Sequence, residues 1–200
     1  MADDSSTEKL RLFIAIPIPE PVRDEIIRVQ REMQPLAPRG VVRWTRPDQF
    51  HLTLRFLGDV PVDGLEKLKE SVNAVCRSAQ PLQLRAEGVG FFPNPHSPRV
   101  VWVGMDDQTG LLVDLQKRIE IAVRPFAGKS GAEIFAGHVT LGRLKNLKSA
   151  DARKLAALAQ TVKDRSFGEW TADEVEIIRS ELSPAGARHT TLAAFRLGAV

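Results

Sequence analysis

Two short segments, HLTLRFLG at 51–58 and HVTLGRL at 138–144, constrain this chain more than any other feature. With the two-residue period of a strand, the first puts His51, Thr53 and Arg55 on one face. Leu52, Leu54 and Phe56 then lie on the other, where they anchor the strand to a core. A half-buried strand needs only that apolar face. A histidine and a hydroxyl two residues apart on the opposite face, repeated at His138 and Thr140, require a separate reason. A third match, HTTL at 189–192, lies in alternating strand sequence near the C-terminal end. The first two each precede a helical pattern, as a duplicated unit would. His51 and His138 are therefore taken as the pair, and His189 as an accessory or structural histidine.

The surrounding sequence places both segments in a mixed fold. LFIAIPI at 12–18 is a short apolar run ended by proline, which predicts a buried strand. Val22, Ile26, Val29 and Met33 recur at helical spacing up to Pro35 and Pro38. Asp63 with Glu66 resembles a capping box that opens a helix carrying Leu65, Leu68, Val72 and Val75. LQLRAEGVGFF (82–92) and RVVWVGM (99–105) predict two strands around the turn-rich PNPHSP. A helix near 109–123, a helix bearing Leu155, Leu158 and Val162, and the strands VEIIRSEL and RHTTLAAFRL complete the set. Roughly four helices and seven to nine strands in mixed order predict an α+β fold with antiparallel sheet. The repeated motif suggests two pseudo-symmetric lobes with a cleft between them. Residues 1–10 are expected to be a flexible tail, and 11–200 a single bilobal domain.

Composition limits the alternatives. Hydrophobic residues make up 43% and charged residues 26%, ordinary for a globular chain. The formal net charge is +3, compatible with a phosphate-bearing partner but weak evidence for one. Arg39, Arg43, Arg46 and Arg55 cluster near the first motif. One cysteine, Cys76, excludes an intramolecular disulfide and reads as a small hydrophobe in a helical pattern. The start, MADDSSTEKL, has no apolar h-region, and no stretch reaches the length of a membrane span. A cytoplasmic monomer without a membrane partner is expected.

Two facing HxT elements have a defined chemistry. Imidazole, with an ordinary pKa near 6.5, takes both protonation states near neutrality, so a pair can act as acid and base together. The hydroxyls of Thr53 and Thr140 can donate to phosphoryl oxygens, and an arginine can offset charge developing on them. Taken alone, an HxT is more often a strand histidine satisfied by water or a neighbour; repetition changes that weight. Zinc is disfavoured, because a third ligand is not evident and neither HxH nor HExxH occurs. AGKS at 127–130 lacks the glycine that GxxxxGK[ST] requires, leaving Lys129 as a loop residue near the cleft. Asp106 and Asp107 fit a solvated turn. Trp44, Phe92 and Trp102 suit core packing, or base stacking if they rim the cleft.

The paired HLTLRFLG and HVTLGR, with RLFIAIPIPE at the start and FFPNPHSPRVVWVG between, resemble the 2H phosphoesterase superfamily. The chain is most similar to its RNA 2′,3′-cyclic phosphodiesterases, also called 2′-5′ RNA ligases, from about Arg11 to Leu197. The resemblance implies a bilobal α+β fold with an antiparallel sheet in each lobe. It implies hydrolysis of RNA 2′,3′-cyclic phosphate ends, or of small cyclic nucleotides, to 2′-phosphomonoesters without metal or cofactor. His51 would be the proton donor and His138 the proton acceptor, with Thr53, Thr140 and Arg143 binding substrate. Reverse 2′-5′ ligation is implied too; the rival reading is an RNA-end binding module with little turnover. Arg143 lies five residues after His138, so strict alternation points it away from the site. A bulge or a strand end at Gly142 would restore it. Arg55 has the right parity to contact phosphate or to form a salt bridge. Gly137 stands where relatives often have proline, which suggests a looser approach to the second motif. His189 stands where relatives often have tyrosine, in a chain without any tyrosine. The 127–137 loop lacks a basic run.

Overall fold

The computed structural model describes residues 8–128, 135–145, 148–183 and 186–198. Lys129 lies outside them, as does most of the expected N-terminal tail. Strand β1 (Lys9–Pro17) takes in the last two residues of that expected tail. Its Leu12, Ile14 and Ile16 sit in the main core, while Phe13 and Ala15 form a small second cluster with Ile178. The apolar run exists because this strand is covered on both faces.

Helix α1 (Glu20–Met33) starts behind Pro19, with proline again in its first turn where the missing N–H costs nothing. It buries Val22, Ile26, Val29 and Met33, the stripe read from the sequence, together with Gln30. Strand β2 (Val42–Trp44) and a 3-10 turn lead into β3 (His51–Pro61). A second 3-10 turn over 62–64 precedes α2 (Leu65–Arg77). Gly64 occupies the cap position without a side-chain hydrogen bond, so the expected Asp63–Glu66 box does not form. The turn at 62–64 already holds Asp63 inside helical backbone, where its carboxylate cannot reach forward as a cap.

Strands β4 (Leu82–Phe92) and β5 (Val100–Asp106), helix α3 (Leu111–Val123), β6 (His138–Leu144), α4 (Ser149–Thr161), β7 (Ser166–Ala172), β8 (Glu174–Ser183) and β9 (Gly186–Arg196) follow. One sheet has the order β3-β1-β8-β9 and the other β2-β6-β5-β4-β7, with every pairing antiparallel. The orders superpose as β3 on β6, β1 on β5, β8 on β4 and β9 on β7; β2 has no counterpart. Helices α2 and α3 pack on the first sheet, α1 and α4 on the second. Two connecting helices thus cross to the other lobe: α1 joins β1 to β3 but covers the second sheet, and α3 joins β5 to β6 but covers the first. Both lobes share one continuous apolar core, which fixes the two sheets and the cleft between them.

Candidate functional site

His51 and His138 are the first residues of β3 and β6, the equivalent strands of the two sheets. Each strand carries an irregularity three residues later. Against β1, Thr53 faces Ala15 and Arg55 faces Ile14, leaving Leu54 without a partner. Against β5, Thr140 faces Trp102 and Gly142 faces Val101, leaving Leu141 unpaired. A bulge puts two consecutive side chains on one face and reverses the alternation beyond it. On β6 it buries Leu141 and Gly142 together and turns Arg143 to the side of His138 and Thr140. The parity conflict of Arg143 is resolved in this way.

The same bulge corrects the reading of β3. Phe56, expected among the core anchors, is 62% exposed and lines the cleft. Arg55 turns to the opposite side, where its Nε lies 2.9 Å from Glu120 Oε2 of α3 and its Nη2 donates to the Gly128 carbonyl at 2.9 Å. Neither Arg55 Nε nor Glu120 Oε2 has a well-aligned hydrogen bond, so their contact is Coulombic.

The bulge on β6 is held from outside its own ladder. Leu141 O accepts from Thr45 N at 2.9 Å and from Gln30 Nε2 at 2.9 Å, and the same amide donates to Thr45 O at 2.8 Å. Gln30 is 4% exposed, the one buried polar residue among the described residues. A side chain at 142 would force its neighbours to shift, because a Cβ there would lie 2.8 Å from Val42 Cγ1 and 3.3 Å from the Arg43 carbonyl.

A cleft of about 580 Å³ between the sheets is lined by His51, Thr53, His138, Thr140 and Arg143. Every sequence-derived site residue therefore reaches the same cavity. Among the described residues, no Asp or Glu contributes to its wall. His51 rests on Phe13, ring centroids 4.6 Å apart. His138 meets Phe92 edge-on at 5.0 Å, with Trp102 behind at 6.3 Å. Phe92 and Trp102 thus brace the second histidine, whereas Trp44 lines the cleft itself.

Burial pushes the His51 imidazole down to about 4, helped by the charge of His189 and then of His138, and opposed by a backbone hydrogen bond at Gln49. Burial also lowers His138, with Arg143 adding to the effect and its hydrogen bond to Ala136 opposing it. His138 Nδ1 donates to the Ala136 carbonyl at 2.8 Å, since a carbonyl can only accept. That bond fixes the tautomer and leaves Nε2 as the basic nitrogen. The segment before His138 is not loose: Gly137 O accepts from Met105 N at 2.9 Å, and a Cβ at 137 would lie 3.0 Å from Met105 O and from Leu112 Cδ2.

His189 lies in the cleft rather than apart from it. Its ring is edge-on to His51 with centroids 5.3 Å apart, and Phe13 touches both. Burial lowers its pKa, with Asp48 raising it and Arg46 lowering it. Gln49 Nε2 donates to Ala187 O and ties the loop before β3 to β9. The third HxTL was the signal for His189; the curl that brings β9 beside the start of β3 is not readable from spacing. Arg11, Phe13 and Arg43, which also line the cleft, carried no motif.

Cys76 is buried, and burial pushes its thiol up to about 12, as suits an inert hydrophobe. Among the described residues no three His, Cys, Asp or Glu side chains gather in a way that would hold a metal ion. Among the described residues no helix is long and apolar enough to cross a membrane.

Two antiparallel lobes around a cleft headed by paired histidines are the architecture of a phosphoesterase. The protein of Thermus thermophilus solved as TT0787 matches this chain with a TM-score of 0.78 and 28% identity, over 94% of this chain and 98% of that one. Escherichia coli LigT, solved with phosphate, matches with a TM-score of 0.70 and 25% identity over 95% and 98%. The RNA 2′,3′-cyclic phosphodiesterase of Methanothermobacter thermautotrophicus is 32% identical over 189 residues, 94% of this chain and all of that protein. The model of the LigT like phosphoesterases matches residues 16–102. This chain belongs to the LigT-like phosphoesterase family.

Proposed function

We propose that the chain hydrolyses RNA 2′,3′-cyclic phosphate ends to 2′-phosphomonoesters by acid–base catalysis between His51 and His138. The observation that carries this reading is the cleft itself. Two imidazoles, each heading a strand with a threonine two residues on, face one cavity walled by arginine and, among the described residues, by no carboxylate. Such a wall favours an anionic substrate. The names of the curated relatives support the same substrate class.

His138 Nε2 takes a proton from water, whose oxygen attacks phosphorus. The anionic substrate raises the pKa of the adjacent His51 so that it enters the reaction as imidazolium, and the P–O3′ bond breaks as His51 gives its proton to the departing 3′ oxygen. Thr53, Thr140 and Arg143 donate to the non-bridging oxygens, where charge builds in the transition state. The 2′ oxygen keeps its bond to phosphorus, so the product is a 2′-phosphomonoester with a free 3′-hydroxyl. A 5′-hydroxyl in place of water would give a 2′,5′ linkage through the same steps.

Product analysis on an RNA ending in a 2′,3′-cyclic phosphate, with and without EDTA, tests the reading. We expect 2′-phosphate, undiminished by EDTA, and a loss of roughly 10²–10⁴-fold in kcat for His51→Ala and for His138→Ala. A 3′-phosphate product would overturn the choice of leaving oxygen. Full activity in either variant would remove the two-histidine mechanism, and stoichiometric binding without turnover would make the chain an RNA-end binding module.

A further inference from the structure

Strand β2 is the one strand that breaks the correspondence between the sheets, and it brings Arg43 directly opposite Arg143 in the β2–β6 register. Like charges directly opposite on neighbouring strands are destabilising, and the usual relief is absent. Arg46 is paired with Asp48, Arg55 with Glu120, Arg85 with Glu169 and Arg165 with Glu32. Among the described residues, Arg43 and Arg143 have no carboxylate partner, and none lines the cleft that both reach. Arg143 is on the side of His138 and Thr140, beside the phosphate to be cleaved. Arg43 stands one strand further out, about 4.8 Å by sheet spacing. Its Nη2 lies 3.3 Å from where a side chain at Gly186 would begin. The guanidinium therefore reaches from the second sheet to the β8–β9 hairpin of the first.

We propose that Arg43 forms a second phosphate subsite, which takes the 5′-phosphate of the nucleotide whose cyclic phosphate lies between His51 and His138. Resting on the reading of the cleft as a cyclic phosphodiesterase, it makes the preferred substrate an RNA end rather than a free cyclic nucleoside. Two phosphates of one nucleotide then meet two adjacent arginines, and the anion between them relieves the repulsion of the pair.

The test compares a nucleoside 2′,3′-cyclic phosphate bearing a 5′-hydroxyl with the same molecule bearing a 5′-phosphate. For the wild type we expect KM at least about tenfold lower with the 5′-phosphate and similar kcat. Arg43→Gln should erase that difference while leaving the 5′-hydroxyl substrate unchanged. KM should rise more steeply with salt for the 5′-phosphate substrate than for the 5′-hydroxyl one, and only while Arg43 is present. Equal KM values in the wild type, or equal losses on both substrates in Arg43→Gln, would overturn the subsite. The same comparison by calorimetry, with nucleoside 2′-phosphate and 2′,5′-bisphosphate, separates the two readings. If neither substrate turns over, the phosphodiesterase reading fails, while a roughly tenfold preference for the bisphosphate that Arg43→Gln abolishes still establishes the subsite, and no preference rejects it.

Discussion

Leu54 and Leu141 occupy the same place in the two sheets: each is skipped by its partner strand, three positions after a cleft histidine. Both bulges advance the residue at histidine plus five into the cleft. That residue is Arg143 on β6 and Phe56 on β3, so one backbone device gives the cleft a cationic wall on one side and an aromatic one on the other.

The bulges assign opposite roles to two arginines of similar sequence context. On the proposed mechanism, Arg143→Gln should lower kcat/KM roughly 10²-fold or more, with little change in stability because the side chain is exposed. Arg55→Gln should leave kcat/KM within about threefold. It should destabilise the fold by roughly 1.5–3 kcal/mol, the usual worth of a hydrogen bond from a charged group, here to the Gly128 carbonyl. Steady-state kinetics beside thermal melts of both variants decide this. A large catalytic loss in Arg55→Gln would contradict the orientation of β3.

Gln30 does not itself line the cleft, yet its amide clamps the bulge on β6. Gln30→Leu should cost about 1–3 kcal/mol through the stranded carbonyls. Gln30→Glu should cost more, since a carboxylate cannot donate to two carbonyl oxygens. If the clamp positions Arg143, Gln30→Leu measured well below its melting temperature should lower kcat and reproduce part of the Arg143→Gln loss. Unchanged kcat in a folded Gln30→Leu protein would confine Gln30 to stability.

The edge-on contact of His189 with His51 makes the two titrations communicate. His189→Gln removes a positive neighbour, so the His51 midpoint should rise above about 4. It should remain below 6.5, because burial is the larger cause and is unchanged. Imidazole NMR titrations of wild type and variant measure this, and a His51 midpoint that stays or falls would show that the charge of His189 does not reach it.

Stability should depend on pH in a defined window. Burial holds His51 and His138 neutral in the folded protein, whereas both titrate near 6.5 when unfolded. Between about 4 and 6.5 the unfolded chain binds more protons, so stability rises with pH there and this contribution is fully present above 6.5. For His51 alone it amounts to about 3 kcal/mol. Urea denaturation at about pH 4.5 and pH 7 should show the difference, reduced in His51→Gln. A flat profile, or one falling with rising pH, would contradict it.

Short-range periodicity accounts for the elements that depend on neighbouring residues alone. Val22, Ile26, Val29 and Met33 mark the buried stripe of α1, β4 spans the segment read for it, and both HxT histidines head strands that meet in one cleft. Only the tertiary structure decided which way Arg55, Phe56 and Arg143 point, because a bulge is a mismatch between two strands and neither strand's pattern contains it. The place of His189 was decided in the same way, by the curl of a sheet that sets the end of one strand beside the start of another. So was Gln30: a helix residue far from both motifs in sequence meets β6 because α1 crosses to the opposite lobe. Local spacing records which face a side chain prefers, and long-range pairing decides what that face meets.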